Sequence, residues 1–327
     1  MVPQARLRKS ITIRGLCESF FVTVGGSFRA SFVLSCVFTV TGFLGKFGFL
    51  LDLTSHFRVH YLLVQFFYLV FGIVRRSKKF IFTSFVFFVI NLVLIIPWYL
   101  PVASGPSVKQ KISILLINVN TQNRNFQDTV DYISKVNPDI LALEEINEEW
   151  LSQLEPIREM YPFSKIKTRE DNFGIALFSK MALINPQVRY FEVEVPSIVA
   201  KIKLEEAAVS IVFTHPVPPA DRHYYLHRNR QLRSIAASRD EFGDKLIVIG
   251  DLNTTNWSYH YQAFLSKMRL QDTRKGFGMQ PSWPTQMPIL LIPIDHCLVS
   301  SDFVTLERKI GPNLGSDHYP VYVELGI

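Results

Sequence analysis

The first hundred residues contain three long apolar stretches separated by short polar turns. They cover residues 31–51, interrupted by Lys46, then 59–74, and then 80–103. A helix needs about 20 largely apolar residues to cross a bilayer; the third stretch meets this length easily, and the first two are shorter. The run 85–90 has no polar face, as a helix packed on the core of a soluble domain would have. A cleaved signal peptide is disfavoured because there are several apolar stretches and the first one begins late in the chain. The pattern therefore predicts three transmembrane helices rather than buried helices of a soluble domain.

From Lys111 onward the apolar runs become short and are separated by turn residues. Strand-like runs occur at 112–119, 139–146, 174–179, 188–195, 198–204, 208–214, 245–250, 294–300, 303–308 and 319–325. Helical spacing occurs at 128–136, 148–160, 222–242 and 259–268. Because many neighbouring strands have no helix between them, a purely parallel doubly wound sheet is disfavoured. We predict an α/β (α+β) fold, a four-layer α/β/β/α sandwich of two mixed sheets.

The charges divide at the same point of the chain. Residues 1–110 carry 12 Lys/Arg and two Asp/Glu, whereas residues 111–327 carry 23 Lys/Arg and 26 Asp/Glu. The net positive charge therefore belongs to the N-terminal part and does not indicate a nucleic-acid-binding surface on the remainder. We predict a membrane segment at 1–104, a Pro/Gly/Ser-rich linker at 105–110 and a catalytic domain at 111–327. Three cysteines, none in a C-x-x-C pair, argue against a disulfide framework or a zinc site.

Basic residues predict the orientation of the membrane segment. Five of them, from Arg6 to Arg29, precede the first span, and four more fill the turn 75–79 between the second and third spans. The positive-inside rule places both groups in the cytoplasm. The segment 52–56 and the C-terminal domain then lie outside, with Trp98 and Tyr99 at the outer interface.

Polar side chains with metal-binding or acid–base chemistry stand at the ends of the predicted strands. They are Asn118, Glu145, His215, Asp251, Asn253, Asp295, Asp317 and His318. Carboxylate and amide oxygens suit Mg²⁺ or Mn²⁺ rather than zinc, and such a metal can neutralise charge on a phosphoryl group. A histidine paired with an aspartate can act as a general base, and an asparagine can donate to a phosphate oxygen. Each residue alone fits an ordinary strand-end turn; together, their order and placement favour a phosphoester-cleaving metal site.

Five short motifs carry a resemblance to the endonuclease/exonuclease/phosphatase superfamily. They are Ile-Asn-Val at 117–119, Leu-Glu-Glu-Ile at 143–146, Gly-Asp-Leu-Asn at 250–253, Ile-Asp-His at 294–296 and Ser-Asp-His-Tyr-Pro at 316–320. The resemblance covers about residues 111–327. The superfamily includes deoxyribonucleases, abasic-site endonucleases, inositol-phosphate phosphatases and sphingomyelinases.

The resemblance implies a role for each candidate residue. Glu145 is expected to be the principal metal ligand, helped by Asn118 and Asp317. Asp251 is expected to orient or deprotonate the attacking water. Asn253 and His215 are expected to contact the phosphate. His318 is expected either to contact the phosphate or to act as a base, oriented by Asp295.

Two positions depart from the superfamily pattern. Glu144 stands where members often have Gln, which adds negative charge near the metal or leaves open which glutamate binds it. His296 stands where many members have an aromatic residue.

A narrower resemblance is to a membrane-anchored bacterial subgroup. It is carried by Leu-Asp-Leu-Thr-Ser-His-Phe-Arg at 51–58, His-Pro-Val-Pro-Pro at 215–219 and Pro-Ser-Trp-Pro at 281–284. The resemblance implies a multi-pass protein of the bacterial inner membrane, and the predicted orientation makes its catalytic domain extracytoplasmic, that is, periplasmic.

Substrate choice is expected in the loops 215–225 and 276–288, together with Arg274 and Lys275. There, Trp283 either stacks on the substrate or packs within its own loop. We predict a membrane-anchored, Mg²⁺- or Mn²⁺-dependent phosphodiesterase of nuclease type. A phospholipid or sugar-phosphate phosphoesterase and a catalytically inactive membrane scaffold are the alternatives, which the fold alone does not separate.

Overall fold

A computed structural model describes residues 13–101, 108–204 and 207–327, with side chains from residue 26 onward. Part of the predicted linker lies outside the described residues. The N-terminal helices are α1 (Ile13–Thr41), α2 (Phe49–Leu53), α3 (Arg58–Val74) and α4 (Lys78–Ile95). The helices of the C-terminal domain are α5 (Phe126–Val136), α6 (Glu148–Gln153), α7 (Arg222–Ala237) and α8 (Tyr259–Met268).

Twelve strands in the described residues form two six-stranded mixed sheets. The strands are β1 (Lys111–Asn118), β2 (Ile140–Glu144), β3 (Phe163–Lys167), β4 (Ile175–Ser179), β5 (Ile184–Tyr190), β6 (Pro196–Leu204), β7 (Ala207–Thr214), β8 (Leu246–Asp251), β9 (Gln271–Asp272), β10 (Asp295–Val299), β11 (Val304–Ile310) and β12 (Val321–Gly326). The first sheet has the order β11-β12-β1-β2-β4-β3 and the second has the order β5-β6-β7-β8-β10-β9.

Alternating side chains of the central strands build the layers. On β1, Ile114 and Leu116 belong to the core between the two sheets, whereas Leu115 and Ile117 belong to the core beneath α5 and α6. A third core, which includes Val248 of β8, lies under α7 and α8. Strands buried on both faces read as continuous apolar runs. The predicted four-layer α/β/β/α sandwich is confirmed.

Some predicted elements differ from the observed ones. Strands β3 and β9 were not predicted, because β3 is largely exposed and β9 has only two residues, so neither has an apolar run. The strand predicted at 188–195 is observed at Ile184–Tyr190, and the helix predicted at 222–242 ends at Ala237 before a short 3-10 turn.

The described residues contain two helices that are long and apolar enough to span a membrane, fewer than the three predicted. Gly26–Phe47 and Lys78–Trp98 are long and apolar enough to cross a membrane by length and composition. The middle stretch forms α3, which is apolar but has only 17 residues. Arg58 begins this helix and Arg75 and Arg76 follow it, so charged residues limit its apolar length.

Burial in the N-terminal helices is the reverse of burial in a water-soluble bundle. Gln65 and Asn91 are buried and donate to Ser35 and Thr39, respectively. Apolar side chains cover the outside, among them Leu63, Phe82 and Val74. Polar groups bonded between helices with an apolar exterior are typical of helices packed in lipid.

The end of the apolar helix Lys78–Trp98 packs against the C-terminal domain. Trp98, expected at an outer membrane interface, is instead buried: the Arg274 guanidinium lies 5.2 Å from its ring centroid. The Trp98 carbonyl also accepts hydrogen bonds from the backbone N–H groups of Gly276 and Gly278. Arg274 forms a fully buried ion pair with Asp272, which removes it from the substrate-binding surface predicted for it.

Candidate active site

Strand pairing brings the predicted site residues to one edge of the two sheets. In the parallel pair β1–β2, Asn118 lies beside Glu144, and in the antiparallel pair β10–β8, Asp295 lies opposite Asp251. The sheets face each other, so the ends of β1, β2, β8 and β10 converge. All eight predicted residues meet there, joined by the contacts described next.

Asp251 is the centre of one half of the site. Its Oδ2 atom lies 3.7 Å from the Nε2 atoms of both His215 and His318, and its Oδ1 accepts a 2.7 Å hydrogen bond from the Asn253 N–H. His318 Nδ1 lies 2.9 Å from Asp295 Oδ2. Two histidines therefore flank one carboxylate, and a second carboxylate orients one of them.

Glu145 is the centre of the other half. Its Oε1 accepts a 2.9 Å hydrogen bond from Asn118 Nδ2, and its Oε2 accepts from the Thr121 N–H. Its φ of +62° turns the chain at the end of β2, so Glu144 and Glu145 are presented to different surroundings. Non-glycine residues in this region of φ are uncommon and occur at functional sites.

Asp317 lies beside Glu145 and is held by two residues outside the predicted set. Asn120 Nδ2 donates to Asp317 Oδ1 over 2.8 Å, and Trp283 Nε1 donates to Asp317 Oδ2 over 3.1 Å. The ring of Trp283 is 6.4 Å from that of His318. Trp283 is therefore part of the site wall, not merely a packing residue of its loop. Asn120 follows the Ile-Asn-Val motif directly, which was its only signal in the sequence.

The Gly250 backbone permits the close approach of the neighbouring strand β7 and of the Glu144 carboxylate from the other sheet. Its φ is +145°, and an added Cβ would lie 1.9 Å from the Thr214 carbonyl oxygen and 2.9 Å from Glu144 Oε1. Only glycine fits this conformation and this space. The Gly-Asp-Leu-Asn motif therefore combines a steric requirement at Gly250 with the chemistry of Asp251.

The buried carboxylates and histidines shift one another's protonation. Burial opposes the charge on His318, but the carboxylates of Asp295, Asp251 and Asp317 outweigh it and raise the His318 pKa to about 10. Burial lowers the pKa of His215 to about 3, helped by the positive charge of His318. Burial also raises the pKa values of Asp251 and Glu145. His318 is therefore an imidazolium at neutral pH and His215 is neutral.

Glu144 and His296, the two departures from the superfamily pattern, have supporting positions. Glu144 Oε1 accepts a 2.9 Å hydrogen bond from the Asp251 N–H, and burial with nearby Asp251 and Asp295 raises its pKa well above the usual range. His296 Nε2 lies 2.8 Å from the Thr254 carbonyl oxygen, to which it donates. Both residues hold the backbone of the segment that carries Asp251.

The donor set fits a divalent cation. Glu145, Asp251, Asp295 and Asp317 bring four carboxylates around one imidazolium. The pKa values of Asp251 and Glu145 are raised first by burial and then by these neighbouring carboxylates. Among the residues that the structure describes, Asp251, Asp295 and His318 place ligand atoms within 4.8 Å of one another. That group includes an imidazole nitrogen, which suits Mg²⁺ or Mn²⁺ less well than oxygen does. The Glu145 half, with carboxylate and amide oxygens, is therefore the better match to Mg²⁺ or Mn²⁺.

Tyr225, which the sequence suggested for substrate binding, turns away from the site. Its hydroxyl lies 2.8 Å from His260 Nε2 and 3.4 Å from the Gly45 carbonyl oxygen at the end of the first span. A buried tyrosine hydroxyl needs a hydrogen-bond partner, which it can find either between two packed parts of a chain or in a substrate cleft. The sequence therefore did not show which of these two places Tyr225 occupies.

Comparison with protein families gives one match. Residues 115–318 match the Endonuclease/Exonuclease/phosphatase family. No curated protein matches the chain.

Solved structures share the fold at low sequence identity. Truncated Caenorhabditis elegans TDP2 has a TM-score of 0.55 at 16% identity, covering 66% of this chain and 98% of that one. D. rerio TDP2 complexed with a single-strand DNA product has a TM-score of 0.55 at 15% identity, covering 67% and 100%. An endonuclease/exonuclease/phosphatase from Beutenbergia cavernae has a TM-score of 0.53 at 14% identity, covering 67% and 72%.

Proposed function

Because the chain belongs to the Endonuclease/Exonuclease/phosphatase family, we propose that it is a membrane-anchored, divalent-metal-dependent phosphoesterase that hydrolyses a phosphodiester. The observation that carries the proposal is the arrangement around Asp251. A carboxylate flanked by His215 and His318 lies close to a second group of oxygen ligands around Glu145. This combination would supply a proton acceptor, a cation for a phosphate oxygen and ligands for a metal within one buried cluster.

Glu145 would hold the metal, with Asn118 and Asp317 alongside. A bound Mg²⁺ or Mn²⁺ supplies positive charge that neutralises a phosphoryl oxygen and stabilises the leaving oxygen. The hydrogen bonds from Asn118 and Thr121 to Glu145 fix the orientation of its carboxylate. Such orientation is what ligand-supporting residues provide in metal sites generally.

The protein's own groups then divide the chemistry. Asp251, whose raised pKa makes it a better base than a free aspartate, accepts a proton from water and directs the oxygen toward phosphorus. His318, charged and held by Asp295, offers its Nε2–H to a phosphate oxygen. Asn253 Nδ2 donates one hydrogen to the Pro216 carbonyl oxygen over 2.9 Å, which fixes the side chain and leaves its second hydrogen for another phosphate oxygen. These donors stabilise the negative charge that builds up in the transition state.

The proposed anchor is the N-terminal helical segment. Its support is the apolar exterior and polar interior of α1, α3 and α4, which suit lipid better than water. The domain contacts the end of the first span at Gly45 and the end of α4 at Trp98. The basic turn 75–79 is at the opposite end of α4, so the positive-inside rule places the domain outside the cytoplasm.

A reporter fusion tests this orientation. Alkaline phosphatase, which is active only outside the bacterial cytoplasm, is expected to be active when fused after Ile327. A fluorescent protein that matures only in the cytoplasm, fused at the same point, is the matched control and is expected to stay dark. The reverse pattern would contradict the extracytoplasmic placement.

A phospholipid is the second candidate substrate, favoured by the loop 284–291. Met287, Ile289 and Leu290 are exposed, and Ile289 is 83% exposed. The Ile289 carbonyl oxygen lies 2.8 Å from His60 Nε2 at the start of α3. This apolar turn lies beside the membrane segment, and Trp283, just before it, contacts Asp317. A phosphoester in the outer leaflet could therefore reach the site.

An assay of the purified full chain in detergent tests the function. We expect hydrolysis of bis(p-nitrophenyl) phosphate with Mg²⁺ or Mn²⁺, and a loss of about 100-fold or more with EDTA, because the metal neutralises the transition-state charge. Single-stranded DNA and phospholipid vesicles, assayed in parallel, separate the two candidate substrates. If none of the three substrates, the generic phosphodiester, the DNA and the vesicles, is hydrolysed in a metal-dependent way, the result favours the scaffold alternative.

A further inference from the structure

The loop that follows Asp251 is held from behind by buried donors. We call residues 252–258, between β8 and α8, the catalytic loop. The Asn253 carbonyl oxygen accepts a 2.8 Å hydrogen bond from Arg228 Nη1, and the Thr254 carbonyl oxygen accepts one from His296 Nε2. Arg228 and His296 are fully buried. The position of the Asn253 side chain therefore depends on where the Arg228 guanidinium is held.

The group that holds Arg228 belongs to the membrane segment. Asp52 lies on α2, in the connection between the two candidate spans, and its Oδ2 accepts a 2.7 Å hydrogen bond from Arg228 Nη2. Its Oδ1 accepts a 2.7 Å hydrogen bond from Ser258 Oγ at the end of the catalytic loop. Asp52 and Arg228 are both completely buried. One carboxylate thus connects to both ends of the loop.

A second contact from the same connection reaches the middle of the loop. His56 Nδ1 lies 2.9 Å from Thr255 Oγ1. On the His296 side, Arg274 bridges between Trp98 of the membrane segment and His296, whose Nδ1 lies 3.2 Å from Arg274 Nη2. The catalytic loop is therefore braced by the membrane segment along its length.

We propose that Asp52 is a positioning residue of the active site, which fixes Asn253 and the catalytic loop through Arg228. The inference rests on the proposed function. A contact that only docks the two parts of the chain would need no more than complementary surfaces. Here the buried Asp52–Arg228 ion pair is also hydrogen-bonded, through Arg228, to the backbone carbonyl of Asn253, the proposed phosphate-binding residue. Loss of the Asp52 charge leaves the Arg228 cation buried without its counterion, so the guanidinium has to move and release the Asn253 carbonyl. The membrane segment is thus part of the catalytic apparatus as well as an anchor.

Asp52→Asn in the full chain, purified in detergent, tests the proposal. We expect kcat for bis(p-nitrophenyl) phosphate to fall by about 10- to 100-fold, the effect of a small misplacement of catalytic groups. KM and the metal concentration for half-maximal activity are expected to change by less than about threefold, because Glu145 and its neighbours stay in place. Thr255→Val, which removes only the hydroxyl that faces His56, is expected to give a smaller fall in kcat.

Arg58→Gln is the matched control. Arg58 is also buried on this connection, but it donates to the Thr39 carbonyl oxygen and lies over Phe43, both within the membrane segment. We expect it to lower the Tm while leaving kcat within about twofold of the unchanged chain. If Asp52→Asn lowers kcat no more than Arg58→Gln does, Asp52 has only a structural role.

Hydrogen exchange separates failure of this inference from failure of the proposed function. Measured by mass spectrometry, backbone exchange of residues 252–258 is expected to rise in Asp52→Asn and to stay unchanged in Arg58→Gln. This readout needs no substrate. If Asp52→Asn does not fold, Ser258→Ala, which removes the hydroxyl that donates to Asp52 Oδ1, provides the comparison. Unchanged hydrogen exchange of residues 252–258 in a folded variant would overturn the inference. If the wild-type chain has no activity but exchange of these residues rises in the variant, only the proposed phosphoesterase function is contradicted.

Discussion

Asp251→Asn is expected to lower kcat by about a thousandfold, in the upper part of the range for loss of a general base. The amide is nearly the same size as the carboxylate, and its oxygen can still accept the hydrogen bond that Asp251 Oδ1 receives from the Asn253 N–H. It cannot accept a proton from water. The fold and the hydrogen bond between His318 and Asp295 should therefore persist while the chemical step fails.

The measurement is kcat on a generic phosphodiester at saturating metal, together with Tm. Asp244→Asn is the matched control, since Asp244 is exposed just before the same strand, β8, and the substitution is the same. The control is expected to keep full activity. An Asp251→Asn variant that retained more than about a tenth of the wild-type kcat would show that another group takes the proton.

Glu145→Gln is expected to reduce activity by about a thousandfold at the metal concentration that saturates the unchanged chain. The substitution removes one negative charge and replaces a carboxylate oxygen, the ligand type that Mg²⁺ and Mn²⁺ prefer, by an amide. Part of the activity should return at much higher metal concentration, because the remaining ligands still bind weakly. A titration of activity and of Mn²⁺ binding measures the shift.

Glu144→Gln provides the comparison that identifies the metal-binding glutamate. Glu144 is buried with a raised pKa, and its Oε1 accepts from the Asp251 N–H, a hydrogen bond that Gln can also accept. We expect its metal titration and kcat to stay within about threefold of the unchanged chain. A large shift in metal affinity for Glu144→Gln, with little change for Glu145→Gln, would reverse the assignment.

The buried contacts between the two parts of the chain affect how such experiments are done. Arg228, Arg274 and Tyr225 have partners in the N-terminal helical segment. A fragment that begins in the linker would leave these groups facing water or unpaired, at the back of the catalytic loop. The full chain in detergent is therefore the appropriate material, although the sequence alone suggests that the domain after residue 110 is separable.

Much of the fold and the candidate site followed from local pattern. Strands buried on both faces, such as β1 and β8, appear as uninterrupted apolar runs, and the polar residue at the end of each run marks a sheet edge. This is why Asn118, Glu145 and Asp251 could be named before the structure. Edge strands such as β3 lack this signal, because their side chains are mostly exposed and are not selected for apolarity.

Sequence alone determined the class of fold and named the residues of the candidate site, because hydrophobic periodicity and short motifs are properties of neighbouring residues. Only the tertiary structure decided which distant residues meet. Asp52 and Arg228 are separated by 176 positions, and nothing in the local pattern of either one indicates the other. Tertiary structure also decided the protonation of two site residues: the carboxylates packed around His318 raise its pKa, and burial raises the pKa of Glu144. A carboxyl or imidazole takes its pKa from the charges and water around it, and these come from distant parts of the chain.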